Sequence, residues 1–148
     1  MSPSRTVSII FYNQKVYIPS TGIYPSEIFA DIDPVYVVNA TVDALVPIVI
    51  EQLSRDPEPV YSLLEQREKS KQLLPKITGA RSWKKLAAKG QLYSISLSNE
   101  VFTLSITKLD DKGRWIFDAE KEKRFPGNID IREIVEFIVD NYAKHQKN

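Results

Sequence analysis

Between residues 91 and 125 the apolar residues fall on every second position. Tyr93, Ile95 and Leu97 alternate with Leu92, Ser94 and Ser96, and beyond Ser98-Asn99-Glu100 the residues Phe102, Leu104 and Ile106 alternate with Thr103, Ser105 and Thr107. A period of two sends successive side chains to opposite sides of a strand, so this stretch predicts an antiparallel hairpin with one dry and one polar face. Asp110-Asp111-Lys112-Gly113 reads as a turn into a strand carrying Trp115 and Phe117. Residues 118–125 predict a fourth, charged edge strand. Near the N-terminus, residues 7–11 and 16–18 predict a second hairpin around Tyr12-Asn13-Gln14-Lys15. Residues 23–34 have no clean period and predict a loop over the core, followed by a brief strand at 36–38.

Elsewhere the apolar spacing changes to threes and fours. Val42, Leu45, Val46, Val49, Ile50 and Leu53 predict a helix capped at Thr41 or Asn39, with Pro47 set to bend it. Asp56-Pro57-Glu58-Pro59 predicts a tight connection, with Pro59 in the first turn of a helix carrying Leu63 and Leu64. Residues 69–77 predict a short helix interrupted near Pro75. Ser82 then caps residues 83–89, and Gly90 is expected to end that helix in the left-handed conformation. The closing helix has Asp130 as its cap, Glu133 for a reciprocal box, and an apolar face of Ile131, Ile134, Val135, Ile138, Val139 and Tyr142. Residues 144–148 read as a solvated tail. The whole predicts one α+β domain over residues 1–148, a mainly antiparallel sheet with amphipathic helices on its dry face.

Composition narrows the class. A chain of 148 residues can bury a core without staples, and it contains no cysteine. With no signal-like N-terminus and no apolar run of membrane-spanning length, the expectation is a soluble cytoplasmic protein with no membrane contact. The totals nearly cancel, 20 Lys/Arg against 19 Asp/Glu, but residues 1–66 carry 3 basic and 8 acidic side chains while residues 67–148 carry 17 and 11. Residues 67–89 alone hold eight Lys/Arg against one Glu. Such division suits a partner surface.

The ingredients of catalysis are missing. The one histidine, His145, lies in the tail, so no nucleophile has a partner base, and the chain reads as no enzyme, with no cofactor and no metal. Asp31/Asp33 and Asp110/Asp111 could touch a divalent ion, but loop solvation and turn formation explain them more cheaply, Asp110-Asp111-Lys112-Gly113 lacks the spaced oxygen ligands of a calcium loop, and the isolated glycines form no phosphate cradle. Lys69, Lys71, Lys76, Arg81, Lys84, Lys85 and Lys89 can neutralise phosphates, with Trp83 or Tyr93 stacking on a base. Trp83 at a helix start facing Leu86 is more often a core anchor that ties the helix to the sheet.

Leu74-Pro75-Lys76-Ile77-Thr78-Gly79-Ala80-Arg81-Ser82-Trp83-Lys84-Lys85-Leu86, the strand at 92–97, the segment 115–125 and the closing helix together resemble the small immunity proteins of bacterial contact-dependent growth-inhibition systems. The resemblance spans mainly residues 74–142, with Ser82-Trp83-Lys84-Lys85 its sharpest element and Val16-Tyr17-Ile18-Pro19 matching in broad order. It implies a noncatalytic inhibitor that binds the toxic C-terminal domain of a cognate effector, frequently a nuclease. No binding residue carries over, because such interfaces diversify. If the toxin is a nuclease its site is basic, which points to the acidic half: Glu27, Asp31, Asp33, Asp43 and Glu51, with Asp56 and Glu58 beside them. Asp43 and Glu51 also fit the solvated outer face of their helix. The alternative is a nucleic-acid-binding module using Lys76, Arg81, Lys84, Lys85 and Lys89.

Overall fold

The computed structural model describes residues 4–60 and 64–146; the expected apolar position Leu63 and the last two residues of the tail lie outside them. The chain runs β1 (Arg5–Tyr12), β2 (Lys15–Ile23), β3 (Phe29–Asn39), α1 (Val42–Leu53), β4 (Glu58–Pro59), α2 (Leu64–Thr78), α3 (Trp83–Lys89), β5 (Gln91–Ser98), β6 (Val101–Leu109), β7 (Trp115–Phe117), a 3-10 turn (Ala119–Lys121), β8 (Lys123–Pro126) and α4 (Ile131–Gln146). The strands form one sheet in the order β3-β2-β1-β5-β6-β7, with β4 added to β2 and β8 to β6. Every pairing is antiparallel except β2 with β4. The α+β class expected from the two periodicities is the observed one.

Local chemistry explains the hairpins. Asn13 and Gln14 both take positive φ (51° and 67°), as do Asn99 and Glu100 (51° and 63°), the geometry of tight two-residue turns whose twist matches the flanking strands. The β5–β6 hairpin forms in the alternating register, with Ile95 opposite Leu104 and Ser94 opposite Ser105.

The helices divide between the two faces, which corrects the expectation that all would share one. Helices α1 and α4 cover the dry face, where Ile9, Phe11, Ile18, Leu45, Val49, Tyr93, Ile95, Leu104, Ile134 and Ile138 are buried together. On the other face α2 and α3 enclose a smaller cluster of Ile10, Leu74, Ala80 and Leu86, with Leu92 and Trp115 against it. Beyond that cluster the second face stays polar. Thr6 Oγ1 lies 3.3 Å from both Ser94 Oγ and Ser96 Oγ there.

Several boundaries differ from expectation for physical reasons. Residues 29–34 belong to a strand, not a loop, because β2 pairs on both sides of a bulge, from Lys15 opposite Asn39 to Pro19 opposite Val35 and from Ser20 opposite Ile32 to Ile23 opposite Phe29, with Asp33 and Pro34 left unpaired between them. As an edge strand β3 tolerates Pro34, whose missing N–H costs no ladder bond. Pro59 belongs to β4 and not to a helix turn. Residues 118–125 split into the 3-10 turn and β8, and β8 returns to pair with β6. Gly90 ends α3 in extended backbone (φ −105°), not left-handed; a Cβ there would lie 2.7 Å from Leu86 O and 2.8 Å from Phe11 O, so close backbone approach is what requires glycine.

Helix α2 continues through Pro75 where an interruption was expected. Proline removes the N–H that would bond the carbonyl of Lys71 one turn back. The indole Nε1 of Trp83 donates to that same carbonyl. Trp83 therefore ties α3 to α2, and its ring meets Trp115 edge-on at 6.3 Å, while 39% of it remains exposed. It is a strap between elements, only half the core anchor expected.

Candidate functional site

Among the described residues no group of three or more His, Cys, Asp or Glu is placed to hold a metal ion, and no helix is long and apolar enough to cross a membrane. Asp110, considered with Asp111 as an ion ligand, uses its Oδ1 to accept the N–H groups of Lys112 and Arg114 and its Oδ2 to accept from Arg114 Nε. The Arg114 backbone bond foremost holds its carboxyl below the usual range. These carboxylate oxygens make a turn.

The feature with the most unspent chemistry is a cleft on the α2 side of the sheet, about 390 Å3 in volume, between β3, β4 and α2. Its assembly starts at Gly22. Val60 N donates to Ile23 O at 2.9 Å, which lays β4 along β2, and a Cβ on Gly22 would stand 2.4 Å from Val60 Cγ2. The alternation of β3 then aims Asp31, paired across from Thr21, toward α2. Asp33 and Glu58 line the same cleft, with Lys69, Ser70 and Leu73 of α2 opposite.

Asp31 is the electrostatic oddity. Its side chain keeps a partial opening to solvent, yet it sits deep enough among surrounding atoms that burial raises its carboxyl from 3.8 to about 6, and among the described residues it has no hydrogen-bond or ion-pair partner. Desolvation disfavours the charged form unless a partner compensates. Lys69 faces the cleft without forming an ion pair with it. Three carboxylates against one ammonium leave the cleft acidic.

The other acidic candidates are placed differently. Glu27 occupies the β2–β3 turn with φ 67°, donating its N–H to Tyr24 O at 2.8 Å, next to the exposed Ile28 and Phe29. It lies in the turn before β3 and is not among the residues that line the cleft. Asp43 and Glu51 lie on α1, across the sheet from Asp31 and Asp33. Asp43 Oδ1 accepts from Arg132 of α4 at 2.6 Å, and Glu51 pairs with Arg55 one turn on. Asp56 pairs with Arg5 at 3.1 Å. Linear spacing gave no means of telling a carboxylate aimed into a cleft from one spent on a helix pair; the register of β3 supplies that distinction.

Lys76, Arg81, Lys84, Lys85 and Lys89 are all exposed, on or between α2 and α3. They lie over the same face of the sheet as the acidic cleft. This face thus carries the acidic cleft, a hydroxyl-lined stretch of sheet and a basic helical cover, while the α1/α4 face is committed to the main core.

No protein-family model and no curated protein matches the chain. The fold does have solved counterparts. A protein of unknown function from Neisseria meningitidis superimposes with a TM-score of 0.66 at 13% identity, covering 90% of this chain and 90% of that one. A chain of the CdiA-CT/CdiI toxin and immunity complex from Yersinia pseudotuberculosis superimposes with a TM-score of 0.63 at 14% identity, covering 91% of this chain and 93% of that one. At such identities the likeness is one of fold.

Proposed function

We propose that this chain is a noncatalytic immunity protein that binds and neutralises a cognate toxin domain, and that the α2 side of the sheet, centred on Asp31 and Asp33, meets the toxin. The fold likeness to a chain from a toxin and immunity complex supports the first part. The observation that carries the second is the cleft lining, where Asp31, Asp33 and Glu58 stand against Lys69 alone among the described residues and burial raises the Asp31 carboxyl, so a cation from a partner would be favoured there. A toxin that acts on nucleic acid has a basic site, so a nuclease is the toxin class this surface fits best. Inhibition is then by occupation, without turnover, in the cytoplasm of a bacterium.

The test is co-expression with the toxin encoded beside this gene. A stoichiometric complex that protects cells supports the reading, and absence of both complex and protection rejects it. A second reading, direct nucleic-acid binding, draws on the five exposed cations Lys76, Arg81, Lys84, Lys85 and Lys89. Binding of the isolated chain to many nucleic acids, weakening steeply with salt, would favour it.

A further inference from the structure

At the end of the sheet remote from the acidic cleft, α3 and α4 both terminate beside β6 and the 3-10 turn. A pocket of about 360 Å3 opens there. Its polar lining is rich in donors: Lys108 from β6, Lys121 from the 3-10 turn, and Asn141, Lys144 and His145 from α4, with Gln91 and Thr107 beside them. The acceptors that would normally answer them are few. Lys144 Nζ pairs with Asp140 at 3.1 Å on the exposed side of α4, and Lys108 Nζ stands 4.0 Å from Asp118. Lys121 makes no ion pair among the described residues.

Asn141 is oriented by the core. Tyr93 donates its hydroxyl to Asn141 Oδ1 at 2.6 Å, and burial, with Tyr142 secondary, raises the Tyr93 pKa so that it stays a donor. With Oδ1 occupied, the amide of Asn141 presents Nδ2, a pure donor, to its surroundings. The floor is fixed as well. Gln91 Nε2 donates to Thr107 O at 2.9 Å, Thr107 Oγ1 donates to Leu92 O at 2.7 Å, and Gly90 fills a place no side chain can enter. Ala87, Ala88, Ile106 and Leu109 add an apolar wall.

We infer that this pocket binds a phosphate monoester: its donors Lys108, Lys121, Asn141, Lys144 and His145 take the phosphate, and the wall of Ala87, Ala88, Ile106 and Leu109 takes the organic body. A volume of about 360 Å3 exceeds what inorganic phosphate needs and lies in the range of small-ligand sites. Lysines bind phosphate as point charges and need no planar fork. The competing account is that Lys144 and His145 only offset the negative end of α4. It leaves Lys121, on the 3-10 turn, without a role, while Lys108 is only loosely held by Asp118 at 4.0 Å. This site is independent of the toxin-binding proposal and lies away from the cleft on which that proposal rests.

The test is an amide NMR titration of the full chain with adenosine 5′-monophosphate, with adenosine as the uncharged control. Saturable shifts at Gly90, Gln91, Lys121 and Asn141 are expected with the monophosphate and not with adenosine. Lys121→Ala, an exposed change that leaves the fold intact, should weaken binding about tenfold, the worth of one charge-assisted contact. Tyr93→Phe, which frees Asn141 to turn, should weaken it as well. A short oligonucleotide with and without a 5′-phosphate separates the sources: phosphate-dependent shifts at the same amides assign the site to strand ends, and shifts with the mononucleotide alone assign it to a free metabolite. No saturable shift with either phosphate, or shifts undiminished by Lys121→Ala, overturns the proposal.

Discussion

The two faces of the sheet solve different problems. Under α1 and α4 lies a broad apolar core in which Val7, Ile9, Phe11, Leu45, Ile95 and Ile134 are fully buried, and the charges nearby, Asp43 with Arg132 and Glu51 with Arg55, are paired. Under α2 and α3 the buried cluster shrinks to Ile10, Leu74, Ala80 and Leu86, and the carboxylate of Asp31 has no partner among the described residues. If the proposed toxin-binding reading holds, stability and recognition are assigned to opposite sides. A protein that needs only to fold has no reason to hold a desolvated, unpaired carboxylate.

The division is broken first by attacking the stable side. Ile134→Ala removes a fully buried side chain between α4 and the sheet and should cost about 2–5 kcal/mol, read as a lowered denaturation midpoint. What remains folded should bind toxin with unchanged affinity. A folded Ile134→Ala protein with weakened toxin binding would place the interface on the wrong face.

Trp83→Ala comes next. It deletes the edge-on contact with Trp115 and the indole bond to the Lys71 carbonyl that Pro75 leaves open, for an expected loss of about 1–3 kcal/mol in a denaturant melt. Native stability with lost binding would move Trp83 from strap to contact.

Asp31→Asn sharpens the comparison because its two effects have opposite signs. A carboxyl raised to about 6 in the folded chain against 3.8 unfolded binds protons more tightly when folded, so its contribution is fully present below pH 3.8 and lost as pH rises through about 6. The wild type should therefore lose about 1–3 kcal/mol across that window, toward the lower figure because the cleft is open to solvent. The Asn variant should lack that slope, be more stable at pH 7, and bind toxin more weakly. Stability measured by denaturation from pH 4 to 7 checks the slope, and identical pH profiles for the two proteins would remove the premise. Smallest of all, Asp43→Asn and Glu51→Gln break exposed, solvent-screened ion pairs, should barely move the denaturation midpoint and should leave toxin association untouched.

Legibility followed the locality of the cause. The β5–β6 hairpin, the Thr41 cap of α1, the Ser82 cap of α3 and the apolar stripe of α4 are set by neighbours a few residues away, and the sequence pattern displays them. Strand β3 escaped the pattern because its partner β2, and not its own alternation, makes residues 29–34 a strand. Gly90 ends the helix as its position predicts but in extended backbone, because the carbonyls of Leu86 and of Phe11, the latter far away in the chain, leave no room for a Cβ. The acidic candidates were visible as a set, but the distinction within it depends on which face each occupies. That distinction rests on the register of β3 and on Arg132, neither readable from local spacing.

The most direct test of the two-sided account is the association rate of the neighbouring toxin domain with three proteins over a series of salt concentrations: wild type, Asp31→Asn/Asp33→Asn, and Asp43→Asn/Glu51→Gln. The account predicts slower association and a flatter salt dependence for the β3 pair, with the α1 pair indistinguishable from wild type, because exposed charge facing the partner steers encounter. Unchanged association for the β3 pair, or a loss confined to the α1 pair, would contradict it.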